Sequence, residues 1–203
     1  MLFTLSTATA KTHSEERYLS LIPPCDVTQA RSFRYREHLP FTRDGLWRIE
    51  SGYVRTITWD DEGTISALGI WGTGEVVGHQ LSTITPYQIE CLTPVLVREI
   101  PLSDDCTHLL LSHLHQVETL LNVTSIKQTM VRLVKLLEWL AQRFGRLDEQ
   151  GYLIDIPLTH QCISELIGAT RVTVTRSLSE LRRAGKIQQL CQHRILLQNF
   201  RAV

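Results

Sequence analysis

Residues 158–181 read LTHQCISELIGATRVTVTRSLSEL. Two short runs with apolar residues at helical spacing flank Gly168. Thr159 stands where a helix N-cap is wanted, because its hydroxyl can accept from a first-turn backbone N–H. Ile163, Leu166 and Ile167 then fall on one inner face. Gly168 and Ala169 allow a tight turn, and Thr170 caps a second helix with Val174, Leu178 and Leu181 inside. Arg171, Val172, Thr175 and Arg176 lie on the other side, towards its start. Free N–H groups and the positive end of the helix dipole make that end attractive to phosphate. After Gly185, Ile187–Leu190 and Arg194–Leu197 flank Cys191-Gln192-His193 and read as a small hairpin. Helix, tight turn, helix and hairpin form a winged helix-turn-helix, whose second helix enters the major groove of DNA. The same apolar pattern fits an αα-hairpin that meets no nucleic acid. The outward arginines favour the DNA reading.

Charge distribution points the same way. The 203-residue chain has a formal net charge of zero. From Pro157 to Val203, however, seven basic residues face only Glu165 and Glu180, so this end is net +5 and the remainder net −5. Such asymmetry marks an anion-binding end, although a merely solvated basic face has the same composition. Apolar residues at 43% and charged residues at 21% fit a globular chain. The five cysteines are Cys25, Cys91, Cys106, Cys162 and Cys191, scattered and without a CxxC. They predict neither a disulfide framework nor a metal or iron–sulfur site. The first residues, MLFTLSTATAKTHSEERY, have no basic leader before their apolar start, so no secretory signal is expected. No apolar run reaches the ~20 residues of a membrane span. A reducing cytoplasm fits these features.

Upstream, EERYLSLI (15–22) reads as a short helix ended by Pro23 and Pro24. From Arg31 to Ile100 the texture is that of strands. Leu46, Trp47 and Ile49 lead into Ser51-Gly52. Tyr53–Trp59 alternates with period two, Asp60–Gly63 turns, and Ile65–Trp71 returns. Gly72-Thr73-Gly74 precedes Val76 and Val77, and Leu92–Ile100 reads as the last strand, closed by Pro101. Strands about every 10 residues imply a β-sandwich or roll. Ser103 and Asp104 are N-cap candidates for a following helix. Its Leu110, Leu114, Val117, Leu121 and Thr124 alternate at spacings of four and three, a heptad seam. Such a seam meets a twin helix or packs on its own domain. Met130, Leu133, Val134, Leu136, Leu137 and Leu140 mark another helix, ending near Phe144-Gly145. A polar loop (145–151) and a short strand, Tyr152–Ile156, complete the chain up to Pro157.

LTHQCISELIGATRVTVTRSLSELRRAGKI resembles the DNA-binding region of the CRP/FNR regulators, and its TRVTVTR is similar to the recognition helix of the cyanobacterial NtcA-type branch. LWRIESGYVRTITWDDEGTISALGIWGTGEVVGH is similar to the family's cyclic-nucleotide-type β-roll in its SG, DEG and GE-x-x-G punctuation. The resemblance implies an α+β chain in three parts: a β-roll sensor-like domain (1–102), a helix pair including the dimerisation helix (103–128), and a winged helix-turn-helix (129–203). It implies that Arg171, Val172 and Arg176 read bases. An arginine fork suits guanine, and valine can touch a thymine methyl but accepts no hydrogen bond. A palindrome GTA…TAC is therefore expected rather than a TGTGA type. Thr159, Gln161, Thr170 and Thr173 match positions that hold phosphate in the family, contacts that position without specifying.

The resemblance places a candidate effector pocket at Gly74, Glu75, Gly78 and His79. Cyclic-nucleotide binders carry glutamate at the position of His79 and a later arginine for the phosphate. QLSTITPYQIEC holds no arginine, and Thr85 stands roughly at its place. Without a fixed cation, cyclic AMP is disfavoured. The branch ligand 2-oxoglutarate remains open, although its carboxylates need cations too. Haem on His79 is disfavoured, since a lone histidine is more often a satisfied or exposed side chain. The expected function is a homodimeric, sequence-specific, DNA-binding transcription regulator, with RNA polymerase or a coactivator as a further partner and no membrane. The alternative is a ligand-independent DNA-binding module whose roll docks a protein partner. No catalytic motif or metal spacing points to an enzyme.

Overall fold

The computed structural model describes residues 29–103 and 106–198. The helix expected at 15–22 and the candidate cap Asp104 lie outside them. Seven strands make the roll: β1 Arg31–Phe33, β2 Gly45–Ser51, β3 Val54–Trp59, β4 Ile65–Trp71, β5 Val76–Val77, β6 Gln88–Cys91 and β7 Val95–Pro101. Two sheets, β1-β7-β2-β5 and β4-β3-β6, enclose an apolar core containing Trp47, Ile49, Val54, Trp71, Val77, Ile89 and Val97. The β3–β4 turn forms as read. The Asp60 carboxylate accepts from the N–H groups of Glu62 and Thr64 at 3.0 and 2.8 Å, and Gly63 takes a φ of 79°.

The β3–β4 register shifts between Thr56 and Ile57, so that Thr56 faces Gly69 while Ile57 faces Ala67. Leu68 is the extra residue of a bulge. An inserted residue reverses the facing of the residues beyond it. Ala67 and Ile70, three apart, thereby reach the same outer surface and join Ile57 and Leu92 in a second core shared with the helices.

The strand expected at Leu92–Ile100 is β7, begun three residues later, and β6 before it was not expected. β6 ends at Cys91, and β7 begins at Val95 on the other sheet. Pro94 cannot donate to a ladder, and Leu92 N–H turns to the carbonyl of Tyr53 instead.

One helix, α1 (Thr107–Ser125), occupies the segment where a pair was expected. Its N-cap position is Cys106, with no side-chain cap bond, rather than Ser103. The Ser103 carbonyl accepts from Cys106 N–H at 3.0 Å and makes the lead-in turn. Helix α2 follows as expected, Thr129–Phe144, with Leu133, Leu136, Leu137 and Leu140 buried.

The polar loop expected after it is a strand. β8 (Gly145–Asp148) pairs antiparallel with β9 (Gly151–Ile154), itself shorter than the strand read to Ile156. An edge strand needs only backbone partners, so its exposed polar side chains conceal it. Gly151 is required there. A Cβ would stand 1.9 Å from the carbonyl oxygen of Leu197 on the neighbouring antiparallel strand.

The chain then forms α3 (His160–Ile167), α4 (Arg171–Arg183), β10 (Ile187–Gln189), a short 3-10 turn at Cys191–His193 and β11 (Ile195–Gln198). Strands β10-β11-β9-β8 make a four-stranded sheet behind the two helices.

Candidate nucleic-acid interface

The helix-turn-helix is built by its caps. Thr159 accepts from Cys162 N–H at 3.0 Å, and Thr170 accepts from Thr173 N–H at 3.1 Å. Gly168 ends α3 in the left-handed region, φ 59° and ψ 47°. Such a C-cap suits glycine because it has no Cβ to clash. Ile163, Leu166, Ile167, Val174, Leu178 and Leu181 are all buried, and they fix α4 against α3. The opposite side of α4 presents Arg171, Val172 and Arg176 to solvent, with Val172 63% exposed. Among the described residues, no carboxylate pairs with either arginine. An apolar side chain held out between two free guanidinium groups fits a groove reader.

The four residues read as phosphate contacts gather at the starts of the two helices. The Thr170 and Thr173 hydroxyls lie 2.9 Å apart, and Gln161 donates one amide hydrogen to Glu165 at 2.7 Å.

His160 is a part of this surface that the sequence reading missed. Its Nδ1 lies 2.8 Å from Thr175 Oγ1, which donates to the Arg171 carbonyl at 2.8 Å. With its proton so used, Thr175 Oγ1 accepts, and His160 carries its hydrogen on Nδ1. His160 Nε2 then accepts from the Gln189 amide at 3.0 Å. One neutral imidazole thus ties α3, α4 and the wing together. Burial, followed by the positive charges of His193 and Arg171, holds its pKa below the ordinary value. Only the Thr159 cap beside it was visible in the sequence, because its partners lie 15 and 29 residues away.

Two arginines position this unit. Arg132 of α2 donates to the Ile126 carbonyl at 2.8 Å and to that of Ile167, bridging the α1–α2 junction and the end of α3. Arg55 of β3 pairs with Glu90 at 2.6 Å and with Glu165 of α3. Their side chains are 11%, 15% and 6% exposed, so the DNA-binding unit is held on the roll by a largely buried ion triad, at the rim of a cleft that Arg55 and Glu90 line.

The candidate effector residues face different neighbours. Gly74 takes φ 87° in the turn. The Glu75 carboxylate accepts from Gly72 N–H at 2.7 Å and pairs with Arg143 of α2 at 2.5 Å. A Cβ on Gly78 would stand 2.7 Å from Leu46. The His79 ring sits edge-on to Phe41 and Tyr87, at centroid distances of 4.9 and 5.3 Å. Burial lowers its pKa, against a backbone hydrogen bond to Tyr87 that raises it. The two ionisable groups do not share one donor set.

Helix α1 has two faces. His113 stacks on Trp71 at 4.0 Å and hydrogen-bonds the Val76 carbonyl at 3.2 Å, while Leu120 and Val123 are buried. On the other face Leu114, Val117 and Leu121 are 50%, 39% and 68% exposed, flanked by half-buried Leu110 and Thr124. Among the described residues, no helix is long and apolar enough to cross a membrane.

The Crp-like helix-turn-helix domain family matches residues 131–202. The chain is 40% identical over 180 residues to the regulatory protein CysR of Synechococcus elongatus, covering 84% of this chain and 86% of that protein. It is 36% identical over 99 residues to the global nitrogen regulator of the same species, covering 49% and 45%. FixK2 of Bradyrhizobium japonicum shares the fold, with a TM-score of 0.71 at 19% identity over 85% of this chain and 93% of that one. So does a CRP-family regulator of Thermus thermophilus, with a TM-score of 0.68 at 22% identity over 83% and 92%. A roll, a long helix and a winged helix-turn-helix in one chain, matched along most of its length by such a relative, place the protein in the CRP/FNR family of transcription regulators.

Proposed function

We propose that the protein acts as a homodimer that reads a palindrome of the form GTA…TAC. The chain is a regulator and not an enzyme, as its relatives are. The observation that carries the site reading is the free outer face of α4, where Arg171, Val172 and Arg176 stand exposed. Arginine pairs with guanine O6 and N7, and valine meets a thymine methyl where a glutamate would accept from an amino edge. Thr159, Gln161, Thr170 and Thr173 hold phosphates around it. The exposed stripe of α1 supports dimerisation, and a two-fold would set the two recognition helices ~34 Å apart, one turn of DNA. RNA polymerase or a coactivator completes the reading.

The effector is not cyclic AMP and not haem in this reading, because Glu75 is engaged by Arg143 and His79 is packed between two rings. The similarity to global nitrogen regulators makes 2-oxoglutarate the first metabolite to try. The same engaged side chains favour a second reading, in which the roll takes no ligand there and docks a protein partner.

Fluorescence anisotropy on a GTA-N8-TAC duplex and a scrambled one tests both, with salt held fixed because phosphate contacts make affinity steeply salt-dependent. Selective binding that tightens with 2-oxoglutarate supports the first reading. Selective binding indifferent to it supports the second. Equal affinity for both duplexes overturns the half-site.

A further inference from the structure

Between the roll and the DNA-binding unit lies a cleft of about 400 Å3, lined by Arg36, Thr159, His160, Gln161, Arg171 and His193. Among the described residues, no carboxylate lines it. The acids that line the adjoining clefts are occupied: Glu90 is held by Arg55, and Glu165 by Arg55 and Gln161. His160 forms a wall, since both its ring nitrogens are already bonded to Thr175 and Gln189. The other lining residues bring donors from separate elements, the Arg36 guanidinium lying 5.3 Å over the Tyr35 ring. These donors are the guanidinium of Arg36 on the loop after β1, that of Arg171 at the start of α4, the His193 ring, the Thr159 hydroxyl proton and the second amide hydrogen of Gln161.

Backbone strain picks out the same place. Among the described residues, Arg36 and His193 are the non-glycine residues with positive φ, at 67° and 60°. Left-handed backbone at such residues is uncommon and gathers at binding sites. One comes from the roll and the other from the wing, and both line this cleft.

We propose that this cleft binds a small ligand carrying a phosphate- or sulfate-type oxyanion, clamped between Arg36 and Arg171, and that its occupancy excludes DNA. Arginine forks and a helix N-terminus are the donors such a group takes. The exclusion rests on the reading of α4 as the DNA-reading helix. Arg171, Thr159 and Gln161 cannot serve ligand and DNA together, so each weakens the other by the same factor. The clamp would also hold the DNA-binding unit against the roll.

The test uses the full chain with sodium pyrophosphate and sodium sulfate, balanced by sodium chloride to one ionic strength. Calorimetry reads binding directly, and anisotropy on the GTA-N8-TAC duplex reads exclusion. Arg36→Gly removes the guanidinium while glycine takes the left-handed backbone freely. Arg36→Lys keeps a charge. Wild type should bind pyrophosphate, with duplex affinity falling roughly tenfold, within the usual range of such couplings. Arg36→Gly should lose both effects and bind the duplex normally in chloride, and Arg36→Lys should recover part of them. A response to pyrophosphate alone assigns a phosphate group, and an equal response to sulfate assigns either oxyanion. No heat from either salt, or equal inhibition in Arg36→Gly, overturns the cleft. If no duplex binds in chloride, the DNA reading fails by itself, and the calorimetry still decides the ligand.

Discussion

Val172 decides more about the half-site than the arginines beside it. Two exposed arginines five residues apart favour guanine wherever it occurs, whereas the residue between them sets which step is tolerated next. Val172→Glu should move preference towards the TGTGA type, since a carboxylate accepts from an amino edge and rejects a thymine methyl. Anisotropy on the two duplexes would show it, and an unchanged preference would remove Val172 from the reading set. Arg171→Ala and Arg176→Ala should each cost about 1–3 kcal/mol of binding and relax one base step. A variant that binds as tightly as wild type would take that arginine out of the interface. These residues were legible because their signals are local: a cap, a spacing and a glycine. His160 was not. Its identity says nothing until Thr175 and Gln189 are brought to its two nitrogens. Arg55 and Glu165 likewise lie 110 residues apart, and nothing in the sequence links them.

At the scale of the element, α1 shows how a helix with two apolar faces is read. The heptad seam and the set His113, Leu120 and Val123 interleave along the same 19 residues, and only the roll decides which set turns inward. The roll takes the His113 side by stacking Trp71 on its ring. Leu114→Asp with Leu121→Asp should therefore leave the chain folded and give monomers by sedimentation velocity, and a dimer that persists would place the interface elsewhere.

The docked side carries a pH dependence. Burial, offset in part by the Val76 carbonyl and Glu75 and reinforced by Arg143, lowers the His113 pKa from 6.5. The unfolded chain then takes the proton first. Stability from this group is present above pH 6.5 and lost as pH falls from there through the folded pKa. His79 and His160 shift in the same direction. His113→Gln can still donate to the Val76 carbonyl but does not titrate, so its Tm should fall less between pH 7.5 and 5.5 than that of wild type. Parallel curves would show that His113 contributes nothing to the slope. β8 marks the opposite limit of sequence reading. An exposed strand held by backbone bonds to β9 and one ion pair, Arg146 with Asp155 at 3.6 Å, looks like a loop in any apolar pattern.

Across the whole molecule, the sensor-like roll and the reader share one core. Ile57, Ala67, Ile70 and Leu92 of the roll pack in the same cluster as Leu133, Leu166, Val174 and Leu178. At its edge the largely buried Glu90–Arg55–Glu165 triad spans the boundary. A buried ion pair adds little over an apolar contact, but removing one partner strands the other. Arg55→Met keeps most of the apolar stem and leaves two carboxylates facing each other. At pH 7.5 the variant should lose about 3–5 kcal/mol in urea unfolding, the range for breaking a buried pair.

The sign of its pH dependence follows from the charges left behind. With the guanidinium gone, burial and mutual repulsion raise the carboxylate pKa values in the folded state above those of the unfolded chain. The folded variant then binds protons more readily, so its deficit relative to wild type should shrink as pH falls towards 5. A deficit of the same size at both pH values would mean that Arg55 acts through packing alone. A deficit near zero at pH 7.5 would mean that the shared apolar core, without the triad, joins the roll to the DNA-binding unit.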